Sequence, residues 1–367
     1  MAFEKGVISF RMLFPSRVLS EEDAGRFAAA ALPPLDTLSE EEMHGWVTGR
    51  HLLDRRITKD AVSVGGYFRV TLAQAKKTVP ASLLAAECAM EEAAVIEAEG
   101  KRFLNRQERQ EIRRAVRERL LPEMPPRLRG IDLVCDPRSR LLYASATNEK
   151  QLDALVLALL QTAGVSARPA DPETLALELE GVDVRDWPPA SFSDRVPDEA
   201  ADAAPGREFL TWLWFVSEER GGREDVPEVG EIAWAVEGPL LFAREGRGAH
   251  EILLRNGEPM LGAETRAALL DGKKLRRARL RFARGEEEWQ VTLDADAFVF
   301  RGLRLPATES YDLVGRFQER MVLLDVFRRL FFHLYRAFLR ERSDAARWEK
   351  TRAAMRRWAA ERPMSEG

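Results

Sequence analysis

Apolar positions bracket single polar ones from the start of the chain. Val7, Ile8, Phe10, Met12 and Phe14 surround Arg11, which predicts a strand over residues 1–14. "LSEEDAGRFAAAAL" then takes helical spacing, with Ser20 placed to cap it and Glu22 and Asp23 in the first turn, where acids suit the helix dipole. "GWVTGRHLLD" reads as a loop, and "GGYFRVTLAQAKKTVP" as a strand around 66–74. From Pro80 to Pro122 the chain is rich in Ala, Glu, Arg and Leu with no interior proline, which predicts two helices broken near Gly100. "PEMPPR" closes the pair, since three nearby prolines cannot continue a helix.

"GIDLVCD" and "RLLYASAT" predict two strands around a turn at Asp136-Pro137-Arg138, and "NEKQLDALVLALLQTAG" an amphipathic helix ended by Gly164. Residues 181–206 are rich in Pro, Asp and Ala and read as a linker. Residues 207–305 read as β-rich, from "FLTWLWFVSE" through "AFVFRGLRLP". Within them, Leu275, Ala278, Leu280 and Phe282 against Arg277, Arg279 and Arg281 describe a half-buried strand with an arginine face. Residues 308–362 are expected to be helical.

Together these elements predict an α+β fold. Residues 1–79 with 128–180 would form a central mixed α/β region, 80–127 a protruding helical arm, and 181–206 a linker. Residues 207–307 would form a β-rich second domain and 308–367 a C-terminal helical segment. A chain of 367 residues is long enough for two or three such units.

Charge sharpens this picture. The chain carries a net charge of −4, yet "KRFLNRQERQEIRRAVRERLLP" (101–122) gathers eight basic side chains against Glu108, Glu111 and Glu118. Arg102, Arg106, Arg109, Arg113 and Arg117 are spaced 4, 3, 4 and 4 residues apart, which on a continuous helix places them along one stripe. The preceding helix is acidic, with Glu87, Glu91, Glu92, Glu97 and Glu99. Two readings stay open: a salt-bridged hairpin, or a guanidinium surface suited to phosphates. A second basic group, Arg266, Lys273, Lys274, Arg276, Arg277, Arg279, Arg281 and Arg284, would add a further face to a charged groove.

Signals for catalysis are sparse. His44, His51, His250 and His333 are scattered, and no HExxH, P-loop, GxSxG or dinucleotide-binding glycine pattern occurs. Asp294/Asp296 and Glu41/Glu42 read as turn and helix-start residues. Neither metal nor cofactor is expected. Cys88 and Cys135 lack CxxC spacing and are expected to be free thiols of a reducing cytoplasm. "MAFEKGVISFRMLF" lacks a cleavage site, so no signal peptide is expected. "MVLLDVFRRLFFHLYRAFLRER" allows three readings: an interfacial membrane helix, a dimer helix, or a lid over the β-rich region. Arg347, Lys350, Arg352, Arg356 and Arg357 read as a flexible basic tail. A membrane-surface protein and an enzyme with a site assembled from scattered residues are the rival classes.

Several short motifs recur in a telling order. Phe3, Lys5, Phe10 and Arg11 open the chain, followed by Gly45-Trp46-Val47, then Lys77 and Pro80 ahead of the charged arm. Leu120-Leu121-Pro122 closes the arm, Ile131-Asp132 begins the next strand, and Gly272-Lys273 and Trp289 follow more loosely. In this order the chain resembles the bacterial recombination-associated RdgC family over roughly 1–165, and faintly over 255–306.

The resemblance implies a non-enzymatic protein of the cytoplasmic nucleoid. It implies a ring-like homodimer that encircles duplex DNA, binds single strands as well, ignores sequence, takes no small-molecule substrate, and restrains the RecA recombinase. The arm would line the ring, with Arg102, Arg106, Arg109 and Arg113 matching basic positions of the family's arm. With the two basic groups, the expected DNA-binding set is Lys76, Lys77, Arg102, Arg106, Arg109, Arg113, Arg117, Lys273 and Lys274. The chain departs from the family after Leu-Leu-Pro, where Met124, Pro125 and Leu128 stand in place of finger aromatics. Arg255-Asn256-Gly257 replaces a basic pair, and the segment after about 308 has no counterpart.

Overall fold

The computed structural model describes residues 2–38, 42–245, 251–255, 260–310 and 312–361. Glu41, His250 and Asn256-Gly257 lie outside the described residues. The fold is α+β, built on a 13-stranded antiparallel sheet. Its main path runs Glu251–Leu254, Gly230–Ala243, Lys274–Arg284, Glu287–Asp294, Val299–Arg304, Ile8–Pro15, Leu141–Ala144, Arg127–Asp136, Tyr67–Lys76 and Glu42–Thr48.

The N-terminal strand joins the two halves of this path. Ile8 and Phe10 pair with Leu303 and Phe300, whereas Arg11, Met12 and Leu13 pair with Ala144, Tyr143 and Leu142. Leu13, Phe14 and Pro15 also pair with Pro169, Arg168 and Ala167, so one strand serves three ladders, with a register shift between Ile8 and Phe10.

Helices Ala24–Ala29 and Glu149–Ala163 cover one face of the N-terminal half, burying Phe27, Leu152, Leu155 and Leu159 against Trp46, Leu72 and Leu133. The larger core lies under helices Pro205–Glu219 and Leu313–Ser343. Phe327 and Phe331 stand edge-on to Phe300, with centroids 5.3 and 4.9 Å away, and Phe317 reaches Tyr67 at 5.8 Å. The long C-terminal helix thus packs across strands from both ends of the chain. Of its three readings, the lid over the sheet is the one observed. The apolar stripe that a membrane-surface helix would need is spent on the core. Among the described residues, no helix is long and apolar enough to cross a membrane.

Three local expectations are corrected. "FLTWLWFVSE" is helix, not strand, within Pro205–Glu219. It is buried on every side, so no polar face marks its period, and Pro205 at its start supplies the helical φ. Glu42–Thr48 is a strand rather than a loop, zipped to Tyr67–Lys76 through seven paired positions. Residues 345–361 form a helix, not a flexible tail: Trp348, Met355 and Trp358 are buried, and Arg352 and Arg356 both engage Asp198. Residues 181–206 lie against the body, burying Val184, Ala190, Phe192 and Val196.

Candidate nucleic-acid interface

The adjacent strands Tyr67–Lys76 and Arg127–Asp136 pair out to Lys76↔Arg127, and the chain between them leaves the sheet as a two-helix arm. Helix Ala81–Glu99 ends at Gly100, whose φ of +63° suits the left-handed cap. The return helix, Arg106–Leu120, starts with a reciprocal cap: Asn105 Oδ1 accepts from Glu108 N–H (2.9 Å), and Glu108 accepts from Asn105 N–H (2.8 Å). Leu84, Cys88, Val116 and Leu120 form a small core near the base. Lys77 Nζ closes the base by donating to the Pro122 carbonyl (2.9 Å). Because the arm holds so little apolar area, its stability leans on its caps. Asn105→Ala is expected to cost the return helix about 1 kcal/mol, read as faster amide exchange over 106–112 with little change elsewhere.

The structure refines the arginine stripe. Arg102 lies in the tip loop, outside the helix, so the regular stripe is Arg106, Arg109, Arg113 and Arg117. The stripe does not stand opposite the apolar seam: Arg106, Arg109 and Arg113 line the groove between the helices, with Cys88, Glu92, Phe103 and Leu104. Residues 109, 113 and 116 fall within one helical sector, so the guanidinium groups flank the seam. The acidic helix takes up only part of the charge. Glu92 meets Arg109 at 3.8 Å and Glu87 meets Arg119 at 2.9 Å. Lys101 is shared by Glu99 (2.6 Å) and Glu108 (2.5 Å), and Arg114 pairs with Glu118 (2.8 Å). Arg102, Arg106 and Arg113 are exposed and make no ion pair among the described residues.

Lys76 and Lys77 stand at the arm's base, both engaged within the protein. Lys76 Nζ donates to Glu42 Oε2 at 3.0 Å. Hydrogen bonds from Lys76 and Gln74, and then His44, hold the Glu42 carboxyl down at about 2. Its folded value lies below its unfolded one. Its contribution to stability is therefore complete above pH 4.5 and lost as pH falls towards 2. Glu42→Gln is expected to flatten the acid-unfolding curve across that window.

Lys273 and Lys274 do not belong to this surface, which corrects their assignment to DNA. Lys274 is 1% exposed and donates to Glu208 Oε1 (2.8 Å), while Lys273 is buried beside Asp271 (3.3 Å). Their neighbours are largely neutralised in place. Arg277 meets Asp294 and Arg281 meets Glu237, each at 2.5 Å, and Arg276 meets Asp296 at 2.8 Å. The carboxylate pair Asp294/Asp296 is taken up by these arginines and by Arg207, which donates to Asp296 at 2.6 Å. Among the described residues, no group of three or more His, Cys, Asp or Glu side chains is placed to hold a metal. Sequence reasoning missed Arg127 and Arg129, whose two-residue alternation was the available signal; register sets them beside Lys76 and Gln74.

The molecule is thus an α+β protein with a helical hairpin, its first helix acidic and its second basic, growing from a strand pair. Residues 5–177 match the RdgC family model, described as "Putative exonuclease, RdgC". Over this segment, a little under half of its length, the chain is similar to the RdgC family. No curated protein matches the chain.

Proposed function

We propose that this chain binds DNA without sequence preference, through phosphate contacts made by the arm, and that it does so as a non-catalytic protein. The observation that carries this reading is the exposed guanidinium row of Arg106, Arg109 and Arg113 along the arm groove, in which Arg106 and Arg113, like Arg102 in the tip loop, have no carboxylate partner among the described residues. Always-charged, fork-shaped donors fit phosphate oxygens, and contacts of that kind position a duplex without reading its bases. Duplex is the expected substrate, with single strands bound by the same charges. Similarity to the RdgC family over residues 5–177 supports a role in recombination, with a ring-like homodimer and restraint of RecA as its finer form.

Duplex binding across a salt series tests the arm, comparing wild type with Arg106→Glu/Arg109→Glu/Arg113→Glu. Sedimentation of the free chain and RecA-dependent strand exchange test the homodimer and the RecA link. The word exonuclease in the family description offers a second outcome. End-labelled duplex incubated with Mg²⁺ or Mn²⁺ is expected to stay intact; progressive loss of label, abolished by a chelator, would replace the non-catalytic reading.

A further inference from the structure

Beside the root of the arm lies a cleft of about 550 Å³ that the reading above does not use. Its floor is apolar, from Leu72, Ile131 and Ala154. Its rim carries Lys76, Arg127, Arg129 and Lys150. Cross-strand register brings the first three together, since Lys76 faces Arg127, and Gln74 faces Arg129. Lys150 comes from the first turn of helix Glu149–Ala163, and Glu42 and His44 line the same cleft.

The charge balance of the cleft is uneven. Among the described residues Glu42 is its one carboxylate, and it is committed to Lys76. Arg127, Arg129 and Lys150 are exposed and make no ion pair among the described residues. Three uncompensated cations around one small cavity exceed the single charge of a backbone phosphodiester. They suit a phosphomonoester, which carries close to two negative charges near neutral pH. The apolar floor suits the sugar and base of the nucleotide that bears it.

We propose that this cleft holds the terminal phosphate of a nucleic acid strand, with Arg127, Arg129 and Lys150 on the phosphate and the end nucleotide on the Leu72–Ile131–Ala154 floor. The inference rests on the DNA-binding reading. It adds an end-recognition site to a surface that otherwise grips only backbone. A free mononucleotide presents the same phosphomonoester, so the experiment separates the two sources.

The full-length chain is titrated, by anisotropy, with blunt duplexes ending in 5′-phosphate, 3′-phosphate or hydroxyl groups, and with a closed duplex minicircle. One phosphorylated end is expected to bind about tenfold more tightly than hydroxyl ends, the scale of one charge-assisted hydrogen bond. Arg129→Gln/Lys150→Gln is expected to abolish that preference while leaving minicircle affinity within about twofold, because the arm is untouched. Equal affinity for phosphorylated and hydroxyl ends, with the minicircle still bound, overturns the end site alone. Failure of wild type to bind the hydroxyl-ended linear duplex overturns the arm reading and the end site with it. Saturable binding of deoxyadenosine monophosphate without discrimination between ends assigns the cleft to free nucleotides and likewise overturns the proposal.

Discussion

Reversing Arg106, Arg109 and Arg113 to glutamate is expected to weaken duplex binding by roughly 100-fold at 0.15 M salt, and to make the salt dependence shallower. Each phosphate contact on a duplex contributes about −0.9 to the slope of log K against log salt. Losing three contacts should therefore reduce the slope by about 2.7. Between 1 M and 0.15 M salt the same three contacts amount to about two log units of affinity, before any repulsion from the new carboxylates. The loss should be the same for unrelated duplex sequences, since contacts to phosphate carry no base information. Arg114→Glu is the internal comparison: Arg114 already pairs with Glu118 at 2.8 Å outside the groove-lining set, so its reversal should cost far less. Equal slopes for wild type and the triple variant would remove the arm from the interface.

A second large effect is expected far from the arm. Glu208 is buried and joins two buried cations: Lys274 Nζ donates to one oxygen (2.8 Å) and Arg342 Nε to the other (3.1 Å). Arg342 also lies between the Trp187 and Trp348 rings, 4.8 and 4.7 Å from their centroids. It comes from the C-terminal helix, Lys274 from the sheet, and Glu208 from the helix between them. Glu208→Ala strands both cations without a counter-charge, which is expected to cost about 3–5 kcal/mol in urea unfolding. Lys274→Met alone should cost less, because Arg342 then keeps the carboxylate to itself. If Glu208→Ala unfolds at the wild-type urea midpoint, the network is not a stabilising link between these elements.

The same lysine shows where the sequence misleads. In "GKKLRRARLRF", Lys273 and Lys274 continue a run of bases and look like part of a basic face. Nothing local reveals that Glu208, 66 positions earlier, lies beside Lys274 in the fold. Arg277 and Arg281 of that strand are likewise matched by acids on neighbouring strands, Asp294 and Glu237. A charge run is a property of the chain, whereas a charged surface is a property of the register. Arg127 and Arg129 make the converse case: unremarkable in "PPRLRG", they join Lys76 and Lys150 once the strands pair. The "FLTWLWFVSE" segment was illegible for a different reason, because a helix buried on all sides shows no amphipathic period.

Local information in the sequence determined the α+β class, the break near Gly100, the caps of the arm and the spacing of its arginines. Each depends on neighbours within a few residues, through backbone preference, capping and helical period. Tertiary structure alone decided which charges remain available. Exposure depends on partners distant in sequence, and their positions are set by strand register and by the packing of Leu313–Ser343 over the sheet. The arm keeps Arg102, Arg106 and Arg113 exposed because a two-helix hairpin has too little interior to bury them, while the 13-stranded body, which does have an interior, withdraws Lys273 and Lys274 into it.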